Sequence, residues 1–368
     1  KETLAENAPT SNHGSWQMRL QKGRHALWLV AMIYAFGATG KVQILNPQRA
    51  PADLWEFIWI DCVAPTREEE AMVEKLLGVD LPTREEMKGV EVANRMSEHG
   101  GIFTMTTILV AKSDSAMPET SAVTFVLTPK HLITLRYHEY VAFKNFSSDF
   151  HYTSADAAFV GLIENIMERS ADLLERVSME AETVSADLFS FRLQALSLTQ
   201  PHVGAKPASK PKRKKARSLK PREILNRVGA IGNLDTKIRE SLVSVQRLTN
   251  FLNDTRTAHF SHESRIQLQA KRADLQALCE HSYFLADKIT FLLDATLGLI
   301  NIEQNDIIKV FSIAAVMFMP PTLIASIYGM NFKYMNELNW DLGYEYALML
   351  MLLSTLAPYF FFKKKGWV

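Results

Sequence analysis

A chain of 368 residues is long enough to bury a sizeable core and to form more than one folding unit. Its 41 Lys and Arg nearly balance its 40 Asp and Glu, but nine of the basic residues, and no acid, fall between Lys206 and Arg222. Subtracting those nine leaves 32 basic against 40 acidic residues, and an acidic body with one basic insertion argues against a nucleic-acid-binding protein. The two cysteines, Cys62 and Cys279, lie far apart, which favours free thiols in a reducing compartment.

The N-terminal region permits two interpretations. Residues 1–25 are polar and predict a flexible tail. The apolar run at 26–35 follows two basic residues, as in a secretory signal. Its β-branched and aromatic residues instead favour a buried strand. We prefer the strand, because the C-terminal part of the chain predicts a cytosolic N-terminus.

Residues 26–150 predict a cytosolic α/β domain with a mixed sheet. Thr66 is a good N-cap for a helix that ends at Leu77, and Thr83 opens a shorter helix through Met87. Helices between strands indicate a sheet with helical cover. Short segments rich in β-branched and aromatic residues predict the strands: Leu27–Tyr34, Lys41–Leu45, Glu56–Asp61, Val90–Met96, Ile102–Ala111, Ala122–Leu127 and His131–Arg136.

Residues 151–260 change to a helical period and predict an antiparallel hairpin of two long helices. The first begins near Ser154 and meets no breaker before Pro201, which gives about 45 residues and is typical of coiled-coil packing. The second begins at Pro221, since proline is favoured in a first helical turn. A third helix starts at Ser261, and its cytosolic part, residues 261–309, leads towards the membrane.

The basic insertion at 203–219 also has two interpretations. It is rich in Pro, Lys and Ser, as expected of a solvated hairpin tip. The same charges would suit contact with anionic lipid.

Two transmembrane helices are predicted near the C-terminus. The nineteen residues 310–328 carry no charge and would span about 28 Å as a helix, close to the hydrocarbon core of about 30 Å. A short external loop, 329–343, precedes the second helix at 344–362. The basic tail, 363–368, predicts a cytosolic C-terminus by the positive-inside rule, and two spans then return the N-terminus to the cytosol.

Ser312, Ala315, Met319 and Thr322 of the first span recur at spacings of three and four, which places them on one helical face. We call this face the polar stripe. At about 100° per residue, Asp294 shares the face of this stripe. Oxygen ligands suit a hard divalent cation and methionine does not, so we predict oxygens towards the ends of an ion path and a hydrophobic constriction at Met319. One helix cannot enclose a path, so several copies must surround it. Helix–helix packing is the alternative interpretation. The predicted pore-lining residues are Asn305, Ser312, Ala315, Met319 and Thr322.

Recognisable enzyme motifs are missing from the sequence. It has no phosphate-binding Gly-rich loop, no Gly-x-Ser-x-Gly elbow and no Cys/His set with zinc spacing. We therefore predict no catalytic residue, no enzyme activity and no organic cofactor.

A family resemblance begins at Tyr328-Gly329-Met330-Asn331, which closes the first span. With the motifs that accompany it, the chain resembles the CorA-type magnesium channel family. The insertion at 203–219 and the long N-terminal tail depart from the usual pattern of that family. The accompanying motifs are Asn301-Ile-Glu-Gln-Asn305, Met319-Pro-Pro321, Met335-Asn-Glu-Leu338, Trp340, Gly343-Tyr344 and the terminal Lys-Lys-Gly-Trp, with Trp59-Ile60-Asp61 and Thr134-Leu135-Arg136 as weaker similarities.

The resemblance implies a funnel-shaped homopentamer in a bacterial-type inner membrane, in contact with lipid. It implies influx of Mg²⁺, with some permeability to Co²⁺ and Ni²⁺, and closure by Mg²⁺ bound in the cytosolic domain. Gly329, Met330 and Asn331 would select the ion. Asn331 and Asn305 would bind it through its water shell, since Mg²⁺ dehydrates reluctantly.

Two further assignments remain open at this point. The loop acids Glu337 and Asp341 either concentrate cations outside the membrane or are ordinary solvated charges. Alternative functions are transport of another divalent ion such as Zn²⁺, and a membrane-tethered coiled-coil scaffold that transports nothing.

Overall fold

The computed structural model describes residues 32–38, 40–47, 54–89, 95–115, 117–199, 221–254, 260–330, 333 and 340–367. The insertion at 203–219, Asn331 and Glu337 lie outside these residues. The strands of the described part are β1 Met32–Gly37, β2 Val42–Leu45, β3 Phe57–Val63, β4 Met96–His99, β5 Ile102–Ala111, β6 Glu119–Leu127 and β7 Leu132–Arg136. The helices are α1 Arg67–Leu77, α2 Arg84–Gly89, α3 Val141–Ser148, α4 Ala155–Thr199, α5 Pro221–Asp254, α6 His262–Tyr328 and α7 Gly343–Lys364.

The strands form one mixed sheet in the order β2-β1-β3-β7-β6-β5-β4, which confirms the predicted mixed α/β architecture. Strands β3 and β7 pair in parallel, and the other neighbouring pairs are antiparallel. Alternate residues of a strand point to opposite faces, so Trp59 belongs to one core and Ile60 to the other. Helices α1 and α2 cover the Ile60 face, and the longer helices cover the Trp59 face.

The predicted capping of α1 is confirmed. The Thr66 Oγ1 accepts a hydrogen bond from the Glu69 backbone N–H at 3.3 Å, and the Glu69 Oε2 accepts one from the Thr66 N–H at 2.8 Å. Gly78 ends the helix with φ of 64°, a left-handed conformation that glycine adopts without strain. Local sequence therefore determines both ends of this helix.

The bounds of several strands differ from the prediction. Strand β1 continues three residues past the predicted end at Tyr34, because Ala35 and Phe36 pair with β3 and are buried. The described part of β4 begins at Met96, where the prediction ended, and pairs back onto β5 through His99. Residues 90–94 of that predicted strand lie outside the described residues. Helix α3 was not predicted from the sequence.

A buried ion pair joins the two parallel strands. Arg136 on β7 donates from Nη2 to the Asp61 Oδ2 on β3 at 2.9 Å, and both residues are at most 5% exposed. The Thr134 hydroxyl donates to the Asp61 Oδ1 at 2.7 Å and accepts from the Trp59 indole N–H at 2.9 Å. The two weaker sequence similarities, around Trp59 and Thr134, therefore form one hydrogen-bonded network inside the domain.

Asp61→Asn should destabilise the cytosolic domain strongly, because it leaves the buried Arg136 charge uncompensated. Breaking a buried pair costs about 3–5 kcal/mol, which corresponds to a decrease of roughly 10 °C in melting temperature for a domain of this size. The measurement is thermal unfolding of the full-length protein. The control is Glu139→Gln, since Glu139 also binds Arg136 at 3.3 Å but its side chain is 61% exposed. A similar decrease in both variants would contradict this role of Asp61.

Helices α4, α5 and α6 pack as a three-helix bundle, so the hairpin and third helix form as predicted. Lys271 binds Glu164 and Lys288 binds Glu182, pairs that are 107 and 106 residues apart, which means that α4 and α6 run parallel. Between α5 and α6, Arg272 donates to Asn250, 22 residues away, and Ser282 donates to Asp235, 47 residues away. Later residues of α6 thus contact earlier residues of α5. Helix α5 is therefore antiparallel to α6.

Helix α6 connects this bundle to the C-terminal helices. It has 67 residues, about 100 Å of continuous helix at roughly 1.5 Å per residue. Its N-cap, Ser261, accepts a hydrogen bond from the Ser264 N–H at 3.1 Å and donates its own backbone N–H to Asp156 at the start of α4. Hydrogen bonding to Ser154, Ser261 and Ser264 outweighs the effect of burial and lowers the pKa of Asp156 to about 2.

Candidate ion-conducting site

Helices α6 and α7 each contain a stretch long and apolar enough to cross a membrane. Most of each stretch is exposed in the isolated chain. An apolar surface of this extent is unfavourable in water. Helix α7 packs along the membrane-spanning part of α6. It ends in Lys363 and Lys364, and basic residues at this end are what the positive-inside rule expects on the cytosolic side.

One face of the α6 span is turned towards α7. Its residues are shielded at spacings of three and four, the period of one helical face. Ile313 is buried, and the partly buried members are Ala314, Met317, Pro320, Pro321, Ile324 and Tyr328. This face of the span is therefore covered by α7 of the same chain.

The predicted pore-lining residues occupy the opposite face. Asn305, Ser312, Ala315, Met319 and Thr322 are all exposed in the isolated chain, and Met319 is 69% exposed. At about 100° per residue they point roughly 160° away from the face that contacts α7. The structure therefore leaves the stripe unoccupied by the second span, as a path between several copies would need.

Bulky apolar side chains lie on both sides of this stripe. Phe311 and Phe318 flank it on one side and Val316 and Leu323 on the other, and all four are exposed. Ser312, Ala315 and Thr322 are smaller than these neighbours, whereas Met319 at the middle of the stripe is as bulky as they are. The arrangement suits a narrow path with apolar walls between subunits.

Asp294 lies on the cytosolic extension of the same helix and is exposed. Eleven residues separate it from Asn305, or about 16 Å along the axis at roughly 1.5 Å per residue. A further 26 Å or so separates Asn305 from Thr322 on the same scale. At about 100° per residue, Asp294 and Asn305 lie within about 20° of one line along the helix, whereas Thr322 is turned about 100° from Asn305. The three oxygen-bearing side chains are too far apart to share an ion within one chain.

Pro320 and Pro321 interrupt the hydrogen bonding of α6 beside Met319. Neither proline has a backbone N–H, so the carbonyl oxygens of Val316 and Met317 lose their usual donors four residues later. The Thr322 hydroxyl donates to the Phe318 carbonyl at 2.7 Å and is itself turned back to the backbone. From the sequence, the two prolines were recognised only as part of a family motif, and the change that they make in the backbone beside Met319 was not predicted.

Helix α6 ends at Tyr328, and its C-cap, Gly329, is the first residue of the predicted selectivity motif. The Gly329 N–H donates to the Ala325 carbonyl at 2.9 Å, and its φ of −83° is accessible to any residue. A Cβ here would lie 3.1 Å from that carbonyl oxygen, so a larger residue would require a small shift of the backbone. Met330 is 45% exposed and Asp341 is exposed just before α7.

Among the described residues, no three His, Cys, Asp or Glu side chains are grouped to hold a metal ion. A cation on the stripe of α6 would need oxygen ligands from more than one copy of the helix.

The C-terminal half of the chain matches the family described as "CorA-like Mg2+ transporter protein" over residues 213–364. The magnesium transport protein CorA of Escherichia coli K12 is 32% identical over 316 residues, which cover 84% of this chain and 92% of the relative. The magnesium transport protein CorA of Sodalis glossinidius is 33% identical over 322 residues, covering 86% and 93%.

Two solved structures share the fold. The complete CorA magnesium transporter of Methanocaldococcus jannaschii aligns with a TM-score of 0.65 at 18% identity, covering 93% of this chain and all of that one. The full-length CmaX protein aligns with a TM-score of 0.60 at 14% identity, covering 91% and 97%. The similarity in sequence extends over nearly the whole length of the bacterial relatives, so this chain belongs to the CorA-like Mg²⁺ transporter family.

Proposed function

We propose that this protein is a Mg²⁺ channel that admits the ion into the cytosol down its electrochemical gradient. Its relatives in Escherichia coli and Sodalis glossinidius are named magnesium transport proteins. The observation that carries the proposal is the exposed stripe on α6, on the side away from α7. A helix that served only as an anchor would not need Asn305, Ser312 and Thr322 on an apolar span.

The channel is a homopentamer in this proposal, with five copies of α6 around one path. The soluble α/β domain and helix bundle form a cytosolic funnel, and the protein lies in a bacterial-type inner membrane with both termini in the cytosol. The packing of α7 against one face of α6 supports this arrangement, because it leaves the other face for neighbouring copies.

The path has oxygen ligands towards both ends and an apolar middle. Asn331 forms the outer ring behind Gly329 and Met330, and Asn305 forms an inner ring above Asp294. Amide oxygens accept hydrogen bonds from the waters of a hydrated Mg²⁺, which avoids the cost of removing those waters. Glu337 and Asp341 raise the local concentration of cations at the outer mouth.

Met319 closes the path when the copies approach each other. A ring of methionine side chains excludes water from a narrow section, and a hydrated ion does not cross a dewetted section. Mg²⁺ bound between subunits of the cytosolic domain favours this closed arrangement, so a high internal Mg²⁺ concentration stops influx.

Ions other than Mg²⁺ are the main alternative cargo. Co²⁺ and Ni²⁺ enter more slowly in this proposal, whereas selective Zn²⁺ transport would need a different outer ring, since Zn²⁺ prefers nitrogen and sulfur ligands. Comparing the fluxes of Mg²⁺, Co²⁺, Ni²⁺ and Zn²⁺ in proteoliposomes distinguishes these ions. Zn²⁺ flux above Mg²⁺ flux would reject the magnesium assignment, and no flux of any ion would favour a membrane-tethered scaffold.

Thiol labelling tests whether the stripe faces water. In proteoliposomes, Ser312→Cys should react with a cationic methanethiosulfonate reagent supplied on the cytosolic side, and the reaction should block Mg²⁺ flux. The native thiols do not interfere, because Cys62 and Cys279 are both buried.

Ala314→Cys is the matched control for this experiment. Ala314 is another small residue, two positions away, but it lies on the partly buried face towards α7. We expect its labelling to be at least roughly tenfold slower, since a thiolate forms readily only where water reaches the thiol. Equal labelling of both variants would show that the stripe is not a path and favour helix packing instead.

A further inference from the structure

One face of α6 is uncovered for a short distance between the helix bundle and α7. Leu292, Thr296 and Leu299 are buried on the side of α6 that packs against α4 and α5. Continued at spacings of four and three, the same face reaches Ile313, which is buried where α7 packs on α6. Residues 301–312 between them are all exposed. We call the part of this face within residues 302–311 the open segment of α6.

A pocket of about 370 Å³ lies along the open segment. Its described wall combines two carboxylates, from Glu303 and Asp306, with exposed apolar side chains. Lys and Arg lay their aliphatic stems along apolar surface while their charged ends reach outwards, so they suit a site of this composition. The apolar side chains of the wall are Ile302, Ile307, Val310 and Phe311, beside the buried Leu299.

The two carboxylates have little compensation within α6. Asp306 binds Lys309 at 3.2 Å, but both side chains are at least half exposed, and an exposed pair of this kind contributes little. Glu303 forms no ion pair in the part of the chain that the structure describes. The open segment is therefore an acidic patch on an apolar surface.

Charges on the neighbouring helices do not neutralise this patch. Lys363 and Lys365 each lie over an aromatic ring at the end of α7, at 5.8 and 5.2 Å from the ring centre. Among the described residues, neither they nor Lys364 forms an ion pair with an acid of α6. At the start of α5, Arg222 and Glu223 are adjacent, exposed and opposite in sign, so they add no net charge.

The end of α4 lies beside the open segment. The two ion pairs that join α4 to α6 connect residues 107 and 106 positions apart. Parallel helices rise by the same amount per residue, so a nearly constant difference continues along them. Thr199, the last residue of α4, is therefore level with about residue 305 of α6.

The start of α5 lies at nearly the same level. A Cβ added to Gly232 of α5 would lie 3.4 Å from the Ile289 Cγ2, so these two residues are neighbours. Helix α5 runs antiparallel to α6, and it begins at Pro221, eleven residues before Gly232. That first residue is therefore level with about residue 300 of α6. The chain that joins α4 to α5 both begins and ends beside the open segment.

This connecting chain, residues 200–220, has the charge that the open segment needs. It carries eight Lys and Arg and no Asp or Glu. Extended at about 3.3 Å per residue, half of it reaches roughly 30 Å, whereas the open segment is only about 14 Å long. Its attachment at both ends also gives it a high effective concentration at this site.

We propose that the open segment of α6 is a docking site for the basic connecting chain, residues 200–220, of the same molecule. Lys and Arg side chains of that chain cover the apolar wall and bind Glu303 and Asp306. An anionic lipid headgroup fits the site less well, because the two carboxylates repel it. The inference does not depend on ion transport, since a contact within one chain forms whether or not the pore conducts.

Disulfide cross-linking of the full-length protein in nanodiscs tests this proposal. Ile307→Cys, in the open segment, is combined in turn with Ala205→Cys, Ser209→Cys and Ala216→Cys in the connecting chain. A disulfide forms only where the two Cα atoms come within about 7 Å. We expect at least one combination to cross-link within one chain roughly tenfold faster than the same combination with Ile308→Cys. The native thiols are both buried and do not interfere.

Ile308→Cys is the matched control for position. Ile308 is 60% exposed and Ile307 is 51% exposed, but Ile308 lies seven residues before Ala315 and so on the side of the polar stripe. Equal rates for the two positions, or no disulfide from any combination, would overturn the proposal. Cross-linked dimers on a denaturing gel would overturn it too, because the connecting chain would then lie on a neighbouring copy.

The lipid of the nanodiscs separates docking on α6 from binding to the membrane surface. The cross-linking rates are compared in neutral phosphatidylcholine and in anionic phosphatidylglycerol. We expect the preference for Ile307 in both lipids. A preference that is lost in phosphatidylglycerol would show that the connecting chain binds lipid headgroups instead, and the proposed docking site would be wrong.

Glu303→Gln combined with Asp306→Asn tests whether charge directs the docking. Loss of two exposed ion pairs should slow the cross-linking of Ile307→Cys by about threefold or more. Asp274→Asn with Glu280→Gln removes the same charge from exposed positions of α6 far from the open segment, and should leave the rate unchanged. Equal slowing by both double variants, or by neither, would contradict a docking site made by these two acids.

Discussion

Asn331→Ala should reduce Mg²⁺ flux into proteoliposomes by at least about tenfold. In the proposed channel, each copy contributes one amide oxygen to a ring that binds the waters of the hydrated ion. A hydrogen bond to a charged group contributes about 1.5–3 kcal/mol, and 1.4 kcal/mol corresponds to a factor of about ten, so the loss of several such bonds is a large effect.

Asn339→Ala provides the matched control for this prediction. It is the same substitution in the same predicted external loop, outside the Gly-Met-Asn motif. We expect nearly native Mg²⁺ flux from it. If Asn331→Ala retained native Mg²⁺ flux while the Asn339 variant lost it, the outer ring would be assigned to the wrong residue.

Met319→Ser should produce a channel that leaks when it ought to be closed. Serine is smaller and wets easily, so the constriction would no longer exclude water. We expect Mg²⁺ flux at a high internal Mg²⁺ concentration to rise by about tenfold, the change that follows when a barrier falls by roughly 1.4 kcal/mol. The measurement is influx into proteoliposomes preloaded with millimolar Mg²⁺.

Met317→Ser is the control that tests whether the position of the methionine matters. Met317 lies two residues earlier on the partly buried side of α6 that is turned towards α7. Its substitution should weaken packing between the two spans without opening the path. A leak of equal size in both variants would mean that loosened packing, and not a wetted gate, explains the increase.

The two predictions depend on different kinds of information. Asn331 is identified by its motif and lies outside the described residues, so its role is inferred from sequence and family. Met319 is identified by its spacing on the helix and by its position opposite the face that contacts α7. Failure of the first experiment would therefore leave the assignment of the gate intact.

Much of the helical architecture could be predicted from the sequence because its signals are local. Thr66 forms the N-cap that the sequence predicted, and Ser261, near which the third helix was predicted to begin, caps α6 through the Ser264 N–H. The uninterrupted period of α6 predicted one helix from the bundle into the span, and the structure confirms it. Capping, helical period and apolar length each depend on residues within a few turns of each other.

The strands were predicted less accurately because their ends depend on partners far along the chain. Strand β1 continues past Tyr34 because it pairs with β3, which lies more than twenty residues away. The ion pair of Asp61 with Arg136 joins residues 75 positions apart, and neither residue alone predicts a buried partner. Non-local pairing of this kind leaves little signal in the local sequence.

Sequence by itself determined the family, the two spans and the polar stripe of this protein, because each depends on residue type and spacing along one segment. Only the tertiary structure decided which side of α6 contacts α7 and that the stripe is on the opposite side. It also set α4 parallel to α6 through the pairs Lys271 with Glu164 and Lys288 with Glu182, which are more than 100 residues apart. Such groupings arise when distant parts of the chain pack together, and no local pattern encodes them.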